Sequence, residues 1–248
     1  MIASLQMYAR PELEKAHRRF WSLIRAQLIL KGIAAPNHLS VDKEEMQVWN
    51  DPKLVFSQTC GMPYRKFLHN KVQLVGTPVY DIGISPEGYY CSYFVVRKDD
   101  NRCSLVNYCD AVFAFNEKNS QSGFAAPLVH LNKLELNFSN RVQSFSHRQS
   151  ASMVAGGEAD ICAIDALSWK LIETYDTFPL NLRVLTATKP VTPGLPYITS
   201  RDNDPKLVFT AVESAIKSLR SSDRKNLNIR GISPPRSCLL YTSPSPRD

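Results

Sequence analysis

The chain has 248 residues, 44% of them hydrophobic and 21% charged, and a net charge of +7. That length buries a large core as one big domain or two lobes, and the composition is ordinary for a globular protein. Basic residues are scattered among acids and no apolar run approaches a membrane span, which argues against a nucleic-acid footprint and against membrane insertion.

Ile2–Leu5 reads as a short buried strand ending near Tyr8, with no charged segment leading into a long apolar core, so no export signal is visible. Pro11-Glu12 opens a helix that Gly32 ends; Leu13, Ala16, Phe20, Leu23, Ile24 and Leu28 share one face. Lys43–Asn50 predicts a short helix with Met46 and Trp49 as core anchors. Leu54–Thr59 is a second strand, Cys60–Tyr64 leads into a helix to about Asn70, and Val72–Gly76 is a third strand. Strand, helix, strand, helix, strand implies parallel pairing with helices on the faces.

Gly88–Arg97 is dense in aromatic and β-branched residues and reads as a strand, followed by a turn at Asp99-Asp100-Asn101. Ala111–Phe115 is a strand, Asn119–Phe124 a loop, and Ala125–Leu134 a helix. Asn137–Ser146 gives a loop and a short strand; His147–Ala155 is helical, anchored by Met153 and Val154 and stopped by Gly156-Gly157. Ala159–Ile164 is a strand, Asp165 leads into another helix, and Leu182–Thr188 is a strand. Pro190–Pro196 reads as a return linker and Tyr197–Thr199 as a short strand. Asp204-Pro205 caps a final helix with Leu207, Val208, Val212, Ile216 and Leu219 on one face. Residues 238–248 follow Pro234-Pro235 without periodicity and resemble a translated sequencing adapter, so they are set aside as a non-native tail.

This order predicts an α/β fold of two lobes, residues 1–86 plus 195–237 and residues 87–194. Crossings near Pro86–Tyr93 and Pro190–Tyr197 would hinge a cleft between them. Six cysteines form no C-x-x-C pair and no zinc-spaced cluster, so reduced thiols, no metal and no cofactor are expected. Cys91, Cys103, Cys109 and Cys162 sit in or beside apolar runs, as small hydrophobes do.

In open α/β sheets ligands lie beyond the carboxyl ends of the strands. Tyr8, then Gln58, Thr59 and Cys60 with Tyr64, then Ser120, Gln121 and Ser122, then Asp165 all fall at such ends. The Ser120–Gly123 loop puts hydroxyls and backbone N–H groups at a helix N-terminus, which suits an anion. Each residue has a competing structural reading. Ser120 or Ser122 caps the helix, Asp165 caps the next one, Tyr64 is a half-buried aromatic, and His147 merely starts a helix. Cys60 lacks a His–Asp partner nearby and reads as a packing residue. His17, His38, His69 and His130 show no partner pattern and read as surface or structural.

Ile2–Tyr8, Ser57–Tyr64, Ser120–Phe124, Ser146-His147, Ala159–Asp165 and Thr192–Tyr197 together resemble the phosphate/phosphite/phosphonate-binding proteins of ABC importers, a branch of the type 2 periplasmic binding proteins. The resemblance spans Ile2 to about Ser233. It implies a hinged two-lobe fold that captures a small oxyanion for ABC-type uptake, is not an enzyme, and works with a permease outside the cytoplasm. It implies that Ser120, Gln121 and Ser122 grip the anion and that His147 adds a donor. Tyr64, with Tyr8 as second choice, would contact ligand from the first lobe. Asp165, ahead of Asp160, would supply a carboxylate, and Thr59 another polar contact. The absent export signal leaves a cytoplasmic compartment open, and with it a ligand sensor or adaptor. A cofactor-biosynthesis enzyme on the same fold is the other alternative, against which stands the lack of any nucleophile–base pair or cofactor-lysine motif.

Overall fold

The structure, a computed structural model, describes residues 1–235; the adapter-like tail lies outside them. Two compact units form, one from Met1–Gly88 with the described chain from Pro193 onward, the other from Tyr89–Thr192. In chain order the strands are β1 (Ile2–Ser4), β2 (Leu54–Gln58), β3 (Val72–Tyr80), β4 (Tyr89–Tyr90), β5 (Ser92–Arg97), β6 (Val112–Phe115), β7 (Asn140–Gln143), β8 (Ile161–Asp165), β9 (Leu182–Ala187), β10 (Thr192–Pro193), β11 (Tyr197–Ser200) and β12 (Ile229–Ser233). The α-helices are α1 (Glu14–Leu30), α2 (Glu45–Trp49), α3 (Gly61–Pro63), α4 (Ala126–Lys133), α5 (His147–Gly156), α6 (Ala166–Tyr175), α7 (Pro205–Ser218) and α8 (Ser221–Asn226).

The first unit is a five-stranded sheet in the order β1-β2-β11-β3-β12. β1 and β2 run parallel, as the strand–helix rhythm predicts. β2 and β3 are not neighbours, however: β11 returns between them, antiparallel to both, with Ile198 opposite Ser57 and Leu74. Side chains alternate across this sheet. Phe56 and Tyr197 pack under α1 and α7 with Phe20, Trp21, Ile24 and Val212, while Leu54 and Ile198 pack on the other face with Trp49, Tyr64 and Leu68. Burial on both faces explains the continuous apolar reading of these strands. Within the expected helix faces, Met46 is 39% and Leu207 40% exposed; Trp49 and Val208 are buried as expected, and Val48 joins them. Helical rotation decides this, since the neighbouring residue points inward.

Several elements differ from the sequence reading: the strand expected over Gly88–Arg97 is split into β4 and β5, and β10 forms within the expected linker. β3 continues through Gly76 and Pro78 to Tyr80, where the reading ended it at Gly76. A Cβ at Gly76 would stand 2.8 Å from the Ser233 carbonyl, so this glycine marks a close approach by β12 and not a strand end. α8 and β12 themselves were not anticipated.

The second unit is a five-stranded sheet in the order β7-β6-β8-β5-β9. β7, β6 and β8 run parallel; β5 is antiparallel to β8 and β9, with Ser92 opposite Asp165. Phe94, Val96, Phe113, Phe115 and Ile161 face one core with Leu131 and Phe138. Val95, Ala114, Cys162 and Ile164 face the other, under Ala151, Val154 and Trp169. Cys91 and Cys162 are buried as predicted, but Cys103 is exposed. It follows a turn, outside the period-2 pattern that buries its neighbours.

Candidate functional site

Three adjacent parallel strands of the second unit end side by side, and each carboxyl end delivers one part of the predicted anion site. β6 leads to the Ser120–Gly123 loop, β7 to Ser146-His147, and β8 to Asp165. Asp160 lies at the opposite, amino end of β8, where it pairs with Arg102 at 2.9 Å and accepts the Val112 N–H. The topology thus separates the two candidate carboxylates, keeping Asp165 beside the loop and tying Asp160 into a distant ion-pair network.

The loop opens with Ser120 in extended conformation, its Oγ accepting the Gly123 N–H at 3.0 Å. The chain then makes a wide π-type turn over Gln121–Ala125, closed by Ala125 N–H to the Ser120 carbonyl at 3.0 Å, before α4 begins. Such turns are rare and concentrate at functional sites. The helix therefore starts earlier and wider than Ala125, and the Ser120 cap of the competing reading is real. Capping uses one lone pair of one hydroxyl; the first-turn N–H groups of a helix still need acceptors from outside it. Ser120, Gln121 and Ser122 are all buried.

Ser122 Oγ lies 2.8 Å from His147 Nε2 and 3.5 Å from Ser120 Oγ. Asp165 Oδ2 approaches the same His147 nitrogen at 3.4 Å. Asp165 Oδ1 meanwhile accepts the Leu167 and Ser168 N–H groups at 3.1 and 3.0 Å, so Asp165 both caps α6 and faces His147. The His147 side chain keeps 14% of its surface exposed. Burial pulls its pKa below the usual 6.5, opposed by the Asp165 charge and the Ala163 carbonyl, so the ring is neutral at pH 7. Its position is set by Ser146, whose Oγ caps α5 through the Gln149 N–H, and by buried Ser144, whose Oγ bonds Ser150 Oγ at 2.6 Å and the Phe115 carbonyl at 3.1 Å.

In the first unit, Tyr8 meets Tyr80 edge-on at 5.4 Å. Gln58 Nε2 donates to Tyr80 Oη at 3.1 Å and to the Leu195 carbonyl at 3.0 Å. Beside them Tyr197 is buried, which pushes its phenol well above the usual range. Tyr64 is 2% exposed within the cluster of Trp49, Leu54 and Leu68, against which Met7 also packs. Thr59 is buried, its N–H on the Pro196 carbonyl and its hydroxyl turned to the Cys60 carbonyl.

The sequence profile of one family, described as ABC transporter, phosphonate, periplasmic substrate-binding protein, matches residues 54–235. The chain belongs to this family. No curated protein matches it in sequence. Among solved structures it is similar to PhnD1 from Prochlorococcus marinus in complex with methylphosphonate, at 17% identity and a TM-score of 0.74, covering 97% of this chain and 94% of that one. A Xanthomonas citri protein bound to ATP shares 12% identity at a TM-score of 0.71, over 96% and 94% of the two chains. A binding protein component of an ABC phosphonate transporter from Pseudomonas aeruginosa shares 15% identity at 0.70, over 97% and 82%. These likenesses establish the type 2 periplasmic-binding fold.

For a phosphonate-binding-family chain, two residues near the predicted groups went unread in the sequence. Tyr80 was hidden because Gly76 and Pro78 look like a strand end. Asn116, directly after β6, carries no motif signal; only packing places its amide against Gly123.

Proposed function

We propose that this chain reversibly captures a small oxyanion, phosphate, phosphite or a phosphonate, for ABC-type uptake, making and breaking no bond. The observation that carries the reading is the convergence of three parallel strand ends on the Ser120–Ser122 turn, His147 and Asp165. Backbone N–H groups, two hydroxyls and an imidazole offer charge-assisted hydrogen bonds to an anion. The same geometry speaks against nucleophilic catalysis. A serine relay needs the carboxylate on the imidazole nitrogen opposite the serine, whereas Ser122 and Asp165 address the same one. Tyr64, Tyr8 and Thr59, with Tyr80 and Gln58 beside Tyr8, are the first unit's share of ligand contact in this reading. A hinged closure of the two lobes, a permease partner and an extracytoplasmic setting belong to the same proposal, carried by family membership. Calorimetry with methylphosphonate and inorganic phosphate tests it. Ser120→Ala with Ser122→Ala should weaken binding at least about a hundredfold, since each charge-assisted bond is worth about 1.5–3 kcal/mol. Unchanged affinity in a folded variant discards the site.

A further inference from the structure

We infer that Asn116 is a positioning residue that holds the proton of neutral His147 on Nδ1. Two side-chain atoms around the serine turn, Asn116 Oδ1 and His147 Nδ1, are buried with no hydrogen-bond partner. They flank one glycine. A Cβ at Gly123 would overlap Asn116 Oδ1 and stand 3.1 Å from His147 Cε1, the ring atom between Nδ1 and Nε2; Nε2 is already taken by Ser122, which leaves Nδ1 as the ring nitrogen open to Asn116. An amide oxygen only accepts, and a ring N–H only donates, so the two are complementary and each is costly alone. The inferred bond asks only the two side chains to turn, because the backbone under each is fixed: the Asn116 carbonyl accepts the Phe145 N–H at 2.9 Å, and Ser146 caps the helix that carries His147. The absence of a Cβ at Gly123 is what lets these groups share the space. With its proton on Nδ1, the imidazole presents a lone pair at Nε2 to which Ser122, 2.8 Å away, donates; the ring becomes a donor to an anion when binding adds a second proton, at Nε2. Asp165, facing Nε2, pulls the proton the other way, and the Ala163 carbonyl is the rival acceptor for Nδ1–H.

The functional value of this arrangement rests on the oxyanion reading above; the tautomer does not. Long-range proton–nitrogen spectra of the ¹⁵N-labelled, ligand-free full chain at pH 7.5 read it directly, with His147→Gln assigning the ring. The wild type should show the Nδ1–H form. Asn116→Leu, or Asn116→Ala should the leucine variant fail to fold, should shift His147 toward Nε2–H, while Asn116→Asp, which keeps an acceptor, retains Nδ1–H. A wild-type Nε2–H tautomer overturns the inference; an unchanged Nδ1–H tautomer in both apolar variants overturns it too and assigns the role to Ala163. Failure of the wild type to bind methylphosphonate in calorimetry would sink the oxyanion reading alone.

Discussion

Gly123 is confined by its neighbours and not by its backbone torsions. A methyl group there would meet Asn116 Oδ1 and press on His147, so Gly123→Ala must displace the imidazole or the loop. Methylphosphonate affinity should fall at least about tenfold, with a melting temperature lower by about 2–4 °C for each kcal/mol lost; an unchanged affinity in calorimetry would show that the loop yields freely. His147 also sets a pH dependence. Its pKa is depressed by burial in the empty protein, and an anion opposite it raises that pKa. Binding should therefore take up a proton at a pH between the two values, and affinity should rise as pH falls through that window and level off below it. Calorimetry in two buffers of different ionisation heat measures the uptake, which His147→Gln should abolish. Stability carries the opposite sign. His17 is lowered to about 4 by burial, so the unfolded chain binds its proton first, and stability is lost as pH falls from about 6.5 toward about 4. Urea midpoints at pH 7.5 and 4.5 should show a smaller drop in His17→Gln than in the wild type.

Elements that fold far from their sequence neighbours depend on a few tethers. α8 is held by Asp223, 2% exposed at its side chain, which receives a bidentate Arg19 from α1 and a further hydrogen bond from Arg220. These guanidiniums, Arg19 first, keep the Asp223 carboxyl below its usual range. The contribution is present at neutral pH and is lost as pH falls through that depressed value. Asp223→Asn should lower the melting temperature by a few degrees at pH 7, and the gap from wild type should close in acid; a pH-independent gap would point to packing instead. The same tether explains why α8 and β12 were illegible. Ser221–Asn226 is polar throughout and Ile229–Ser233 carries a glycine, so neither has a periodicity of its own. α1 and α7, whose apolar residues repeat at helical spacing, were read nearly whole, as were β5, β6 and β8 with their uninterrupted apolar runs.

For the whole molecule, an anion that binds only the native state must raise its melting temperature. Methylphosphonate at about a hundred times its dissociation constant should add about 2.7 kcal/mol of stability, and small-angle scattering should record a smaller radius of gyration if the proposed hinge closes on it. A screen in which no phosphonate, phosphite or phosphate shifts melting would refute capture of these ligands. The sequence by itself determined the α/β class, the family and the serine turn, because those rest on local patterns: apolar runs, glycine and proline punctuation, and hydroxyls ahead of a helix. It also named His147 and Asp165, yet left Asp165 balanced against a capping role and His147 against merely starting a helix. Tertiary structure showed that one Asp165 carboxyl oxygen caps α6 while the other faces His147. It placed β11 between β2 and β3, carried β3 on to Tyr80, buried Tyr64, and set Asn116 and His147 on either side of Gly123. Those outcomes depend on which strand ends lie side by side and on how closely chains approach at Gly76 and Gly123. Such distances arise between segments far apart in the chain, and no local pattern of residue types records them.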